Sequence, residues 1–277
     1  MSVIDSIKAN SFIQRAYETP YRIKLYRIAR LNFEQKTQNM TDEEVDKIRA
    51  LKDIHKGERC FVIGMGPSLS SEDLLKIKDE ICFTANSGYR VLRECGFTPR
   101  YYVVTDDANN VKEEALEVLG DEGNTLVFSN LKKYESYERF VGLPIDERPI
   151  TRVNSWLNLI SRKLFPTGRF GTDISEKVFA GKTVLCVAIQ IAAYMGFDKI
   201  YLIGVDMDYT GSNAYSGLVK DRKQDIEYKA AKKTSDNMLA QMEDFAYDAH
   251  KKGIRIYNAT RGGRVECFER VRLEDIL

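Results

Sequence analysis

The sequence predicts an α/β fold: a Rossmann-like, mostly parallel sheet with helices on both faces, plus an N-terminal helical extension. From residue 57 onward, apolar runs of four to six residues alternate with longer helical segments, which is typical of a parallel sheet covered on both sides. The first run leads directly into glycine, in Cys60-Phe-Val-Ile-Gly64-Met65-Gly66-Pro67-Ser68. This order of strand, tight turn and helix N-terminus is typical of a phosphate- or nucleotide-binding corner.

Length and composition indicate one large domain with a small appendage. The chain has 277 residues, of which 43% are hydrophobic and 30% charged, as in ordinary globular proteins. We predict an N-terminal helical extension over residues 1–56 and a nucleotide-binding catalytic domain over residues 57–277. A formal net charge of +1 argues against nucleic acid as a partner.

Cysteine usage and hydropathy indicate a cytoplasmic protein. The five cysteines show no C-x-x-C spacing, and Cys60, Cys82 and Cys186 lie inside apolar runs, where reduced, buried thiols are expected. No segment approaches the roughly 18–20 apolar residues of a membrane span, and the first residues lack the apolar core of a signal peptide.

The N-terminal extension differs from the rest of the chain in charge. Six Lys or Arg residues lie between positions 8 and 30 against one acid, Glu18, and apolar residues are interleaved with them. This segment either contacts an anionic membrane surface peripherally or packs on the main domain with a solvated basic face, and we favour the second interpretation. Thr41 and Glu44 then fit a capping box at the start of a helix.

The remaining elements follow in order. Strands are predicted at residues 60–63, 81–85, 101–105, 125–128, 200–205 and 254–257. Helices are predicted at residues 72–78, 89–95, 111–119, 183–195 and 235–252. The helix at 183–195 is apolar almost all round, so it is expected at the centre of the fold. Ser68, Ser70 and Ser71 are alternative caps for the helix after the glycine turn.

The predicted site lies at the strand ends. Asn86 and Ser87 follow the second strand, Thr105, Asp106 and Asp107 end the third, and Asp206 and Asp208 follow a later one. In an open parallel sheet these positions share one crevice with the glycine turn. Asp206-x-Asp208 either holds a divalent cation or Asp206 caps the strand end through loop amides, the interpretation we favour.

Several common nucleotide and hydrolase sites fit poorly. A dinucleotide fingerprint needs a third glycine, where this chain has Leu69, and an acid after the second strand, where it has Asn86. The two histidines, His55 and His250, are not placed for general-base chemistry.

Two further glycine turns are candidate anion sites. Gly181-Lys182-Thr183 resembles the end of a P-loop, but Glu176 replaces its first glycine, so a phosphate contact at a helix N-terminus is the more plausible interpretation. The turn from Asn258 to Arg264 either holds an anion between its arginines or is a tight surface turn.

Four segments together resemble a known group of proteins. They are Phe61-Val-Ile-Gly-Met-Gly-Pro-Ser68, Phe83-Thr-Ala-Asn86, the Thr183 to Gly196 helix and Ile200-Tyr-Leu-Ile-Gly-Val-Asp206. Their order is similar to that in the hydroxymethylpterin diphosphokinase-like family, whose bacterial members are associated with surface-polysaccharide enzymes. The arrangement is also similar to that of bacterial lipooligosaccharide sialyltransferases, and the resemblance covers roughly residues 57–264.

The resemblance implies nucleotide binding. In the sialyltransferases the glycine loop and the strand-end asparagine hold CMP, which carries onto Gly64, Gly66, Pro67, Ser68 and Asn86. Two tyrosines assist departure of the phosphate, and Tyr209 and Tyr215 are the nearest matches. Two departures count against sialyl transfer itself: the loop asparagine is Met65 here, and no histidine lies between residues 217 and 234.

The leading hypothesis is therefore a cytoplasmic glycosyltransferase that uses a CMP-sugar, without a required cofactor or metal, to build a cell-surface glycan on a glycan or lipid-linked acceptor. The candidate bases are Asp106, Asp107 and Asp206, and Tyr209 and Tyr215 would stabilise the leaving group. The expected nucleotide contacts are Gly64, Met65, Gly66, Pro67, Ser68, Asn86, Ser87, Thr105, Gly181, Lys182 and Thr183. The alternatives are Mg²⁺-dependent pyrophosphoryl transfer from ATP and a non-catalytic nucleotide-binding module; whether the chain forms homo-oligomers stays open.

Overall fold

The structure is a computed structural model, and it describes residues 40–89, 95–105, 125–131, 134–135, 137–146, 170–208 and 228–277. The described strands are β1 (Arg59–Ile63), β2 (Cys82–Ala85), β3 (Tyr101–Val104), β4 (Leu126–Ser129), β5 (Phe140–Gly142), β6 (Ile145–Asp146), β7 (Val178–Phe179), β8 (Lys199–Ile203), β9 (Ile256–Asn258) and β10 (Glu269–Arg270). The described helices are α1 (Asp42–Arg49), α2 (Ser71–Lys76), α3 (Val184–Tyr194), α4 (Tyr228–Lys251) and α5 (Leu273–Ile276), with a 3₁₀ turn at Asn86–Gly88.

The predicted parallel sheet is confirmed. Eight strands form one sheet in the order β10-β9-β8-β1-β2-β3-β4-β5, and every neighbouring pair is parallel. The short strands β6 and β7 form a separate parallel pair. The six predicted strands match observed ones to within two residues at each end, because each is a short, mainly apolar run.

Helices cover both faces of the sheet. Cys60 and Val62 of β1 share a core with α3 and α4, whereas Phe61 and Ile63 share the opposite core with residues of α2 and α5. Successive β1 side chains are therefore buried on alternate faces, as expected for a central parallel strand. The helix α3 is buried along most of its length, which confirms the expectation that it is central.

Side-chain caps determine where two helices begin. Thr41 and Glu44 form the predicted capping box at α1, and Ile48 of that helix is fully buried in the main core. At α2 the capping serine is Ser70, which pairs reciprocally with Asp73. Residues 1–39 of the predicted extension and the predicted helix at 111–119 lie outside the described residues.

One glutamine connects α3 to the segment that precedes it. Gln190 is fully buried, and its Oε1 accepts hydrogen bonds from the amides of Gly171 (2.9 Å) and Phe179 (3.0 Å). Its Nε2 donates to the carbonyls of Phe179 and Cys186, both at 2.8 Å. All four hydrogen-bonding positions of the carboxamide are thus used within the fold.

The five cysteines are free thiols. Burial raises the pKa of Cys60 and Cys82 well above the usual range, and raises the pKa of Cys186 to about 12. These thiols stay protonated near neutral pH, in agreement with the expectation of inert, buried cysteines. Among the described helices, none combines the length and apolar character needed to cross a membrane.

Candidate functional site

The strand order places a topological switch point between β1 and β8. From β1 the chain proceeds outward through β2, β3, β4 and β5, and it returns with β8 on the other side of β1. Ligands of open parallel sheets bind outside the carboxyl ends of the strands at such a point. Gly64, Ser68 and Asp206 lie at this junction, while Asn86 and Thr105 follow the carboxyl ends of the neighbouring β2 and β3.

The glycine loop, residues 64–68, is bonded to the end of β8. The amide of Gly64 donates to the Ile203 carbonyl and that of Gly66 to the Gly204 carbonyl, both at 2.8 Å. A Cβ on Gly64 would lie 2.4 Å from the Gly204 oxygen. The glycine is therefore needed because another strand end approaches closely.

The Asp206 side chain is hydrogen-bonded to the glycine loop. This side chain is buried, and its Oδ2 accepts hydrogen bonds from the Ser68 hydroxyl (2.7 Å) and the Ser68 amide (3.3 Å). A Cβ on Gly66 would lie only 2.0 Å from that oxygen. These contacts favour the loop-capping interpretation of Asp206, since a general base needs an oxygen that its substrate can reach.

The turn after β9 also contacts Asp206, through a hydrogen bond between two backbone groups. The Arg264 amide donates to the Asp206 carbonyl at 2.8 Å, and a Cβ on Gly263 would lie 2.5 Å from the Asp206 Cα. The arginines of the turn have acidic partners: Arg261 pairs with Asp73, and Arg264 contacts Asp236 at 2.7 Å. This geometry favours a structural turn over an anion site.

Asn86 directly follows β2 in a left-handed conformation, with φ of +47°. Its Oδ1 accepts from the Thr105 amide at 3.2 Å, and its carbonyl accepts from the Tyr102 hydroxyl. Within the described residues, its Nδ2 has no hydrogen-bond acceptor. The carboxamide is thus oriented by the end of β3 while its two N–H groups stay available.

A buried hydroxyl that sequence reasoning missed lies beside Asn86. Thr84 is fully buried, and its Oγ1 has no hydrogen-bond partner. A Cβ on Gly88 would lie 2.2 Å from this oxygen and 3.4 Å from the Met65 methyl. The signal in the sequence is slight: one threonine in the apolar strand Cys82-Phe-Thr-Ala85.

The predicted phosphate contact at α3 is a separate feature. Thr183 caps α3 as expected, accepting from the Leu185 amide at 3.4 Å, and Gly181 has φ of +60°. The short strand β7, which is not among the six predicted strands, precedes this turn. In the described part of the chain, no hydrogen bond joins residues 181–183 to the glycine loop.

Four predicted catalytic residues, Asp106, Asp107, Tyr209 and Tyr215, lie outside the described residues. Asp208 is partly exposed. Among the residues that are described, no group of three or more acidic, histidine or cysteine side chains is arranged to hold a metal ion.

His55 lies at the amino ends of the strands. It stacks on Phe197 with ring centroids 4.4 Å apart, and its ring nitrogens bond Glu58 and the Tyr101 hydroxyl. Because Tyr101 begins β3, this contact belongs to the edge opposite the switch point.

Comparisons with known proteins identify a family. A family model described as 6-hydroxymethylpterin diphosphokinase MptE-like matches residues 32–212. One similar solved structure is the MAf glycosyltransferase from Magnetospirillum magneticum AMB-1, with 16% sequence identity and a TM-score of 0.48. The match covers 84% of this chain and 38% of that protein. No curated protein matches the sequence.

Proposed function

Because the chain belongs to the 6-hydroxymethylpterin diphosphokinase MptE-like family, we propose that it is a nucleotide-dependent transferase with its donor site beside β1 and β2. The observation that carries this proposal is the oriented carboxamide of Asn86 at the carboxyl edge. Its Oδ1 is held by Thr105 at 3.2 Å, whereas its Nδ2 has no acceptor among the described residues. A ribose hydroxyl or a base carbonyl is a suitable acceptor for that group.

The donor in this proposal is a CMP-sugar, and the group transferred is a glycosyl residue for a cell-surface glycan. The acceptor hydroxyl attacks the anomeric carbon, the bond from that carbon to the phosphate oxygen breaks, and CMP leaves with the bonding electrons. Asp106 or Asp107 takes the acceptor proton, since Asp206 is buried and bonded to Ser68. Tyr209 and Tyr215 stabilise charge on the departing phosphate.

The glycine loop contributes a rigid wall to this donor site. The amides of Gly64, Gly66 and Ser68 already have acceptors within the protein. The loop therefore shapes the site. It differs from a P-loop, which surrounds a phosphate with free amides. A glycan or lipid-linked acceptor and a cytoplasmic location complete the proposal.

A second candidate follows from the description of the family: pyrophosphoryl transfer from ATP to a pterin alcohol. That chemistry uses Mg²⁺, for which Asp206 and Asp208 are the candidate ligands. Asp206 fits poorly, because its Oδ2 accepts two hydrogen bonds from Ser68. A third candidate is nucleotide binding without catalysis, which turnover of any donor excludes.

A thermal-shift panel tests nucleotide binding directly. The purified chain is heated with CMP, CDP, UDP, ADP or ATP, each with and without Mg²⁺. A ligand at 100 times its Kd stabilises the folded state by about 2.7 kcal/mol. We expect CMP to raise the melting temperature without Mg²⁺; no shift with any of the five nucleotides contradicts the proposal.

Asp208→Asn separates the two enzymatic candidates. We expect the variant to retain most of its turnover of a CMP-sugar, because that transfer does not depend on a carboxylate-bound cation. Turnover is measured for wild type and variant with EDTA and with added Mg²⁺ or Mn²⁺. Wild-type turnover of the CMP-sugar that EDTA abolishes and metal restores, together with an inactive variant, contradicts the proposed metal-free transfer. Metal-dependent turnover of ATP in place of the CMP-sugar supports pyrophosphoryl transfer.

A further inference from the structure

Thr84 is the starting point, because a buried hydroxyl without a partner is costly. The side chain is fully buried, and its Oγ1 makes no hydrogen bond. Leaving such a group unsatisfied destabilises a fold by roughly 1–3 kcal/mol, and buried polar groups in proteins are almost always paired. A ligand that forms a hydrogen bond with Oγ1 would remove this cost.

Gly88 and the side chain of Met65 lie close to the hydroxyl. Gly88 covers it, and a Cβ there would lie 2.2 Å from Oγ1. The Met65 methyl lies 3.4 Å from the same Cβ position, so a side chain of the glycine loop reaches the turn above β2. A methionine side chain is unbranched and adapts its shape readily. It can therefore move aside at modest cost.

We infer that Thr84 Oγ1 is a hydrogen-bonding group for the nucleoside of the donor, in a subsite beneath Met65 and beside Asn86. This inference rests on the proposed function, because it assigns a further contact to the same donor. Thr84 lies near the end of β2 and Asn86 directly follows the strand, so the two residues are close in sequence at the same strand end. Met65 covers the subsite in the absence of the nucleotide.

The chemistry of the subsite favours a neutral oxygen over a phosphate. Met65 and the glycine Cα contribute no charge, and the amides of Gly64, Gly66 and Ser68 are already bonded within the protein. A buried phosphate without cations or free amides is strongly disfavoured. A ribose hydroxyl and a base carbonyl share the chemistry that a threonine hydroxyl recognises.

The test compares Thr84→Val with Thr125→Val. Both threonines are fully buried, but Thr125 Oγ1 donates to the Pro99 carbonyl at 2.7 Å. Removing a paired hydroxyl is expected to lower the melting temperature by about 2–4 °C, whereas removing an unpaired one is neutral or raises it by about 2 °C. The affinity for CMP is expected to fall about three- to tenfold in Thr84→Val alone.

Measurements with 2′-deoxy-CMP and 3′-deoxy-CMP identify the ligand atom. If Thr84 contacts a ribose hydroxyl, the deoxy analogue lacking it binds wild type and Thr84→Val equally; if it contacts the base, the difference persists for both analogues. Either result supports the inference.

Two results overturn the inference alone: a Thr84→Val melting temperature as low as that of Thr125→Val, or an unchanged affinity for CMP. Failure of wild type to bind any nucleotide overturns the proposed function and this inference together, so the two failures are distinguishable.

Discussion

The two sides of the carboxyl edge differ in how completely their polar groups are paired. On the β1–β8 side, the amides of Gly64, Gly66 and Ser68 and the Asp206 carboxylate bond one another or the end of β8. On the β2–β3 side, Thr84 Oγ1 and Asn86 Nδ2 have no partner among the described residues.

This difference separates the scaffold from the binding surface that we propose. Groups that hydrogen-bond one another stabilise the conformation of the loop. A ligand that breaks these hydrogen bonds loses the stability that they contributed. The unpaired Thr84 hydroxyl gains from a ligand, since the cost of its desolvation has already been incurred on folding. The glycine-rich motif is the most conspicuous feature of the sequence, yet its hydrogen bonds stabilise the scaffold, and the groups that we propose bind the ligand lie one strand away.

The largest effect is expected for Gly66→Ala. Its Cβ would lie 2.0 Å from the Asp206 Oδ2 and 2.7 Å from the Gly204 oxygen, so the loop and the end of β8 must separate. We expect a loss of about 3 kcal/mol or more in the free energy of unfolding, measured by urea denaturation. Gly262→Ala is the control, because nothing lies within 4 Å of its added Cβ. Equal, small losses in both variants contradict a rigid β1–β8 side.

A smaller effect is expected for the contact between Asp206 and Ser68. Asp206→Ala removes the acceptor of two hydrogen bonds from Ser68, at 2.7 and 3.3 Å, and is expected to cost about 2 kcal/mol. Ser68→Ala removes the stronger of the two. In the double variant the losses should fall short of their sum by about 1 kcal/mol or more, as measured by a double-mutant cycle. If the two losses are additive, Asp206 does not stabilise the loop through Ser68.

The smallest change in stability is expected for Asn86→Asp, which keeps an acceptor for the Thr105 amide and removes the Nδ2 donor. We expect the free energy of unfolding to change by less than about 1 kcal/mol while CMP binding weakens by about 0.5–1.5 kcal/mol. Asn86→Ala is the control for structure: it loses the Thr105 contact and places alanine at φ of +47°, costing about 2 kcal/mol of stability. Unchanged CMP affinity in Asn86→Asp contradicts the assigned contact.

The fold was accessible to sequence reasoning because buried parallel strands are continuous apolar runs. The central position of α3 follows the same logic, because a helix that is apolar almost all round is buried. The short strands β5, β6, β7 and β10 have two or three residues each, too few for a periodic pattern. The last helix starts at Tyr228 instead of the expected Ser235, because its first two turns are rich in lysine and lack the apolar stripe.

The site was accessible only in outline. Strand ends could be located, but the partner of each strand-end group could not, because Ser68 and Asp206 are 138 residues apart in sequence. Three nearby serines were equivalent as helix caps until the structure showed Ser68 bonded to Asp206 and Ser70 bonded to Asp73. Whether the Thr84 hydroxyl has a hydrogen-bond partner depends on the residues around it in the folded chain, and composition does not identify those residues.

The carboxamide of Gln190 has a consequence for motion on slow timescales. Gly171 and Phe179 share its Oε1 as their acceptor, at 2.9 and 3.0 Å, so the amides at the two ends of this segment lose protection from solvent in one event. Local opening of residues 171–179 must break these hydrogen bonds together with the pairing of β7 with β6. We therefore expect hydrogen exchange of the Gly171 and Phe179 amides to be coupled, although they lie eight residues apart, immediately before the turn that begins α3.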